Sequence, residues 1–185
     1  MQTNHISREN ILAVSRELLC QQGWQGLQIR AVATQCKVAV GSIYNYFSSK
    51  TELVAATIES VWQEIFRDEK CKPCNTIEYV VWLFSCLEKG ACRYPGFFSL
   101  HAMGFLEVEK QEGQKRMYAT WQHIKEGLHC VMRQDTEIAE SAFDETFTVE
   151  DFADILFAQM LAALIQQKYD TTAVQEMIRR CLYQK

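Results

Sequence analysis

The sequence predicts an all-α protein of about nine helices, and three observations carry that prediction. Apolar residues recur at three- and four-residue intervals along most of the chain, which is the period of a helix with one buried side. Serine, threonine or asparagine followed three positions on by an acid or amide stands ahead of several of these runs, as a helix start requires. No segment alternates apolar and polar residues in the manner of a half-buried strand.

Ser7 can cap a first helix whose buried side uses Ile11, Val14, Leu18 and Leu19, and Gly23 ends it. A second, shorter helix spans 28–35 with Ile29, Val32 and Ala33 inward. Cys36, Lys37 and Val38 form a turn. Residues 39–47 then form a third helix in which Ile43 and Phe47 face inward, while Ser42, Tyr44, Asn45 and Tyr46 leave hydrogen-bonding groups on the other sides. Ser49 and Glu52 make a capping box for a long helix to about residue 69, buried along Leu53, Ala56, Val61, Ile65 and Phe66. Lys72-Pro73 interrupts the chain. Asn75 or Thr76 opens a helix through Val80, Leu83, Phe84 and Leu87, and the Gly90 to Gly96 stretch ends it. Residues 97–109 and 113–133 predict two further helices rich in Phe, Met, Trp and Tyr, followed by a polar connection over 135–146. Thr148 with Asp151 opens a helix apolar nearly all round, and Thr172 with Gln175 opens the last. This order divides the chain into a three-helix head over 1–50 and a helical body over 51–185.

Formal net charge is −4, distributed unevenly: residues 1–50 hold five Lys/Arg against two Asp/Glu, and residues 51–185 hold fourteen against twenty-one. A head with that balance is suited to approach a polyanion, with an acidic remainder kept away from it. No run of eighteen apolar residues occurs, and Met-Gln-Thr-Asn-His lacks the basic start and apolar core of a signal peptide, so a cytoplasmic protein without a membrane partner is expected. Eight cysteines in a chain this long and apolar are expected to be reduced thiols rather than a disulfide framework.

The stretch 38–53 combines a short helix with polar groups on its outer side and a fresh helix start carrying Lys50, a corner that suits a phosphate. Together with Ile11, Ala13, Leu18 and Leu19 ending at Gly23-Trp24, Ile29-Arg30-Ala31-Val32-Ala33, Val38, and Gly41-Ser42-Ile43-Tyr44-Asn45-Tyr46-Phe47, it resembles the N-terminal domain of the TetR/AcrR family of bacterial transcriptional regulators over about Ser7 to Leu53. The resemblance implies a homodimeric repressor that binds double-stranded palindromic operator DNA and is released by a small-molecule effector. It implies that Arg30 meets a base edge or phosphate and that Ser42, Tyr44, Tyr46 and Lys50 meet phosphates. Gly41 would admit the sugar-phosphate chain, and Val40 and Asn45 would meet base edges. Gln28 and Lys37 stand where the family commonly has a Thr or Ser cap and a turn glycine. Lys37 is thus expected in a positive-φ turn, where it can add a phosphate contact.

In the body, Trp62, Phe66, Trp82, Phe98, Met103, Phe105, Met117 and Trp121 resemble the wall of an effector pocket, within which His101, His123 and Glu107 would orient a polar group. The last two helices offer Phe152, Leu156, Met160, Leu164, Val174, Met177, Ile178 and Cys181 as a dimer interface. Cys71-Lys72-Pro73-Cys74 leaves a thiol- or metal-sensing regulator as the alternative. One CxxC supplies two ligands where structural zinc needs four, so neither a metal nor a cofactor is expected. No Gly-rich phosphate loop, HExxH, nucleophile elbow or paired carboxylates indicate an enzyme.

Overall fold

The computed structural model describes residues 6–67, 73–98 and 112–184, with the backbone alone for 112–120. It is all-helical across these residues. The elements are α1 (Arg8–Gln22), a 3-10 turn (Gly23–Gly26), α2 (Ile29–Gln35), α3 (Val40–Tyr44), α4 (Lys50–Ile65), α5 (Thr76–Arg93), α6 (Glu112–Gln134), α7 (Val149–Gln166) and α8 (Thr172–Leu182). Of the segment expected as a helix over 97–109, Phe97 and Phe98 lie in a turn and the rest falls outside the described residues. The chain divides into two compact units, one of residues 1–64 with 91–117 and one of 65–90 with 118–185.

In the first unit the Ser7 hydroxyl accepts from the Asn10 N–H at 3.2 Å and starts α1, and Gly23 at φ 63° ends it. Ile11, Leu12 and Leu18 then pack with Leu27, Ile29, Val32, Ala33, Ile43 and Phe47 in a single cluster. Leu53 and Ala56 of α4 join the same cluster, which is why this unit runs past the residue-50 boundary that the sequence suggests. Glu64, in the last turn of α4, fastens further parts of the unit. Its carboxylate takes Arg16 Nε at 2.8 Å, Arg93 Nε at 2.8 Å and the Tyr94 hydroxyl at 2.9 Å, while Arg16 also donates to Ser60 Oγ at 3.0 Å.

In the second unit, α5 begins where Asn75 Oδ1 accepts from the Glu78 N–H at 2.9 Å. Asp135, just past α6, is buried and accepts from the Thr76 N–H and hydroxyl, both at 2.8 Å, and from the Tyr183 hydroxyl at 2.6 Å. Burial raises the Asp135 carboxyl pKa, but the hydrogen bonds from Tyr183, Thr76 and Glu137 outweigh that and hold it below the ordinary value. The expected Thr148–Asp151 capping box is present and opens α7. The last helix starts one residue earlier than expected, with Thr171 at its N-cap, because Asp170 Oδ1 takes up the Thr172 N–H at 3.0 Å. Helices α6 and α7 are joined by Lys125–Asp154 at 2.6 Å and Arg133–Glu150 at 2.8 Å. Within the polar connection, Phe143 and Phe147 fold onto Phe152, with ring centroids at 6.3 and 5.8 Å.

Candidate nucleic-acid interface

Helix α2 is held by Ile29, Val32 and Ala33, all buried, and it ends in a Schellman motif. The Lys37 N–H donates to the Thr34 carbonyl at 3.0 Å and the Val38 N–H to the Ala33 carbonyl at 3.0 Å. That closure needs a left-handed residue at its centre, and Lys37 supplies it at φ 58°. A non-glycine residue there costs about 1 kcal/mol or more, a local strain of the kind that concentrates at functional turns. Lys37 is exposed.

Ala39 is extended (φ −69°, ψ 149°) and α3 follows with Ile43 as its buried residue. The helix is shorter than the 39–47 span the sequence suggests. After Tyr44 the N–H groups of Tyr46 and Phe47 both donate to the Ile43 carbonyl, at 3.0 and 3.1 Å, and Phe47 turns fully into the core. The outer side of α3 is open: Val40 is 37% and Tyr44 48% exposed, and Gly41 and Asn45 are exposed as well. Ser42 is half-buried. Tyr46 differs from the expectation, since its hydroxyl donates to the Ile6 carbonyl. That proton is not free for a phosphate, so Tyr46 positions the start of α1 against the end of the recognition element rather than contacting an anion.

The start of α4 completes the corner. The Ser49 hydroxyl accepts from the Glu52 N–H at 3.0 Å as expected, but the Glu52 carboxylate reaches Ser48, taking its N–H and hydroxyl at 2.6 Å each. Lys50 Nζ donates to Gln28 Oε1 at 2.9 Å, which links the first residue of α4 to the entry of α2. Gln28, a departure from the family pattern, thereby orients the lysine without neutralising it. Between Glu17 and Glu52 the sequence has no acidic residue. Accordingly Arg30, Lys37 and Lys50 are exposed cations with no carboxylate partner among the described residues.

Gly41 has room around it: a Cβ there would meet nothing within 4 Å. Gly41→Ala is therefore expected to stabilise the free protein by about 0.5–1 kcal/mol through helix propensity while weakening duplex binding. Thermal denaturation and binding measured in parallel check this, and an unchanged affinity removes Gly41 from the interface.

The residues read as an effector wall fall into separate groups. In the first unit Trp62 lies 5.2 Å from Phe98 and 6.0 Å from Phe97, which also stacks on Trp24 at 5.6 Å. In the second unit Trp82 packs with Tyr79 at 5.3 Å and Phe66 at 6.1 Å, whereas Trp121 lies on Phe157 at 5.8 Å. Burial, and then the nearby Cys130 and Cys86 thiols, push the Tyr79 phenol up to about 12. His101, Met103, Phe105 and Glu107 lie outside the described residues, and Met117 is described only by its backbone. The His123 side chain is 91% exposed and lies 3.9 Å from Glu126 on the same helix.

The expected dimer residues need correction. Phe152, Leu156, Met160, Leu164 and Ile178 are buried in the chain's own core and have no surface to offer a partner, while Val174 and Met177 are half-buried and Cys181 is exposed. The exposed apolar residues of α7 are instead Ile155 and Ile165, on a stripe with the exposed Ala158 and half-buried Ala162. Cys71 lies outside the described residues. Cys74 is exposed, and its N–H donates to Glu78 at 2.8 Å. Among the described residues no group of three or more His, Cys, Asp or Glu could hold a metal ion, and no helix is long and apolar enough to cross a membrane.

A short exposed helix after a tight turn, flanked by cations that have no carboxylate partner among the described residues, is the geometry of a helix-turn-helix. Residues 11–57 match the family described as bacterial regulatory proteins, tetR family. The HTH-type transcriptional repressor KstR of Rhodococcus jostii (strain RHA1) is 32% identical over 89 residues, 48% of this chain and 42% of that protein. The HTH-type transcriptional repressor NemR of Escherichia coli (strain K12) is 35% identical over 57 residues, 31% of this chain and 29% of that protein. These matches span less than half the length of either relative. Among solved structures, a transcriptional regulator from Rhodococcus sp. Rha1 aligns over 97% of this chain and 100% of its own at a TM-score of 0.69 and 16% identity. FadR from Bacillus subtilis, in complex with stearoyl-CoA, aligns over 94% and 96% at a TM-score of 0.63 and 18% identity. At such identities the two structures speak for the fold alone.

Proposed function

We propose that the chain is a transcriptional repressor that binds palindromic double-stranded DNA as a homodimer through α2 and α3 and is released by a small-molecule effector bound in the helical body. The observation that carries the DNA-binding part is the set of exposed, unneutralised cations Arg30, Lys37 and Lys50 around the open side of α3. Arginine offers a donor fork to guanine or phosphate, and the lysines offer point charges to phosphates. Val40 and Asn45 are the exposed α3 side chains suited to base edges, a methyl contact to thymine and an amide to adenine. A second copy would cover the Ile155, Ala158, Ala162 and Ile165 stripe, whose three- and four-residue spacing suits helix-on-helix packing. The repressor relatives support the regulatory part of this reading. Such a protein works in the cytoplasm, where its operator is.

Lys50→Ala provides the test. Its ammonium bonds only an exposed glutamine, so stability is expected to change by less than about 0.5 kcal/mol. The slope of log affinity against log salt should fall by roughly two units, one for each subunit of the dimer, equally for operator and random duplex, because a phosphate contact carries no sequence information. An unaltered slope would take Lys50 out of the interface.

A further inference from the structure

We propose that Arg8 is a further DNA-contacting residue, a phosphate-binding guanidinium mounted on the ring of Phe47 beside the recognition element. This rests on the DNA-binding reading above and adds to it a cation that belongs to neither α2 nor α3. The hydrogen bond from the Tyr46 hydroxyl to the Ile6 carbonyl brings the start of α1 against the residues that follow α3. Ser7 caps the helix, Arg8 is its first residue, and the Arg8 guanidinium carbon lies 5.1 Å from the centroid of the Phe47 ring. Phe47 is fully buried, so its ring is a fixed platform.

Helix α1 itself does not call for an arginine at this position. A cation in the first turn of a helix opposes the macrodipole, which favours acids there, as Glu9 next to it illustrates. Arg8 is exposed and has no carboxylate partner among the described residues, in contrast to Arg16, which is paired with Glu64 at 2.8 Å. Covering the Phe47 ring needs only an apolar stem. What arginine adds is a planar charge that lies on an aromatic face while leaving edge N–H groups free, which is the arrangement that presents a donor fork to a phosphate. The position also follows directly on a segment that Tyr46 holds in place, so the charge is carried by a positioned backbone.

The test compares full-length wild type, Arg8→Met and Arg8→Lys on the duplex that wild type enriches from a random-sequence library, across about 50 to 200 mM salt. Methionine keeps the apolar cover over Phe47 and removes the charge; lysine keeps the charge. Arg8→Met is expected to melt like wild type, to bind more weakly, and to lower the salt slope by about two units, one for each subunit of the dimer, which shrinks the affinity ratio across that salt range roughly tenfold. Arg8→Lys should retain most of the slope. Wild-type affinity and slope in Arg8→Met, or a loss that tracks a fall in melting temperature, overturns the assignment of Arg8 alone. A wild-type chain that enriches no duplex overturns the DNA-binding reading beneath it.

Discussion

Asp135→Ala is expected to destabilise the protein by about 3–5 kcal/mol, the loss typical of removing one partner from a buried charged network. The carboxylate is 7% exposed and joins three places in the second unit: the start of α5 through Thr76, the end of α6, and Tyr183 after α8. Its removal leaves the buried Thr76 N–H and two hydroxyls without an acceptor. Asp135→Asn, which keeps an acceptor oxygen but no charge, should fall between wild type and alanine. The pH dependence has a definite sign. The folded-state pKa lies below the ordinary 3.8, so the carboxylate's contribution is complete above that value and is lost as pH falls through the lower, folded-state one. Urea denaturation at neutral pH and near pH 3 checks both parts, with the gap between wild type and Asp135→Ala narrowing in acid. An equal gap at both would mean that the charge is not what holds these ends together.

Glu64→Ala is expected to cost about 2–3 kcal/mol, chiefly through Arg16. The Arg16 side chain is 16% exposed, and losing this carboxylate leaves a largely buried guanidinium with Ser60 at 3.0 Å and the exposed Glu9 at 3.8 Å as its remaining partners. The Arg93 pair adds little, because that side chain is 58% exposed and its charge is screened by water. Arg16→Met in the Glu64→Ala background should recover part of the loss, since the uncompensated charge goes with it. Equilibrium unfolding of the two single variants and the double variant measures the coupling, and strict additivity would contradict the pairing. Because Arg16 lies on α1, the same substitutions should loosen the head that carries α3.

Local signals in the sequence were reliable wherever the structure is made locally. Ser7 and Thr148 cap the helices they were read to cap, because a hydroxyl and an N–H three residues on are enough to form the bond. Lys37 takes the left-handed turn for the same reason, since the motif closes within six residues. Non-local partners were not legible. Tyr46 looks like a phosphate ligand until its hydroxyl is found on Ile6, forty positions away in the chain. Asp135, read as the first residue of a polar connection, is buried through Thr76 and Tyr183, 59 and 48 positions distant. Helix α7 is apolar nearly all round in the sequence, and such a helix needs cover on more than one side. Periodicity does not say what provides that cover, and the connection that looked polar lays Phe143 and Phe147 over Phe152. Arg8 carries no signal of its own in the sequence, because its significance depends on Phe47 and no spacing rule links those two positions.

The central claim, that the face of α2 and α3 holds duplex DNA through unpaired cations, is tested most directly by a salt titration of the full chain on its selected duplex. Each phosphate neutralised contributes about −0.9 to the slope of log affinity against log salt, so Arg30, Lys37 and Lys50 from both subunits of the dimer predict a slope of roughly −5. Binding that is indifferent to salt, or a slope that survives replacement of all three residues by alanine, would contradict the account.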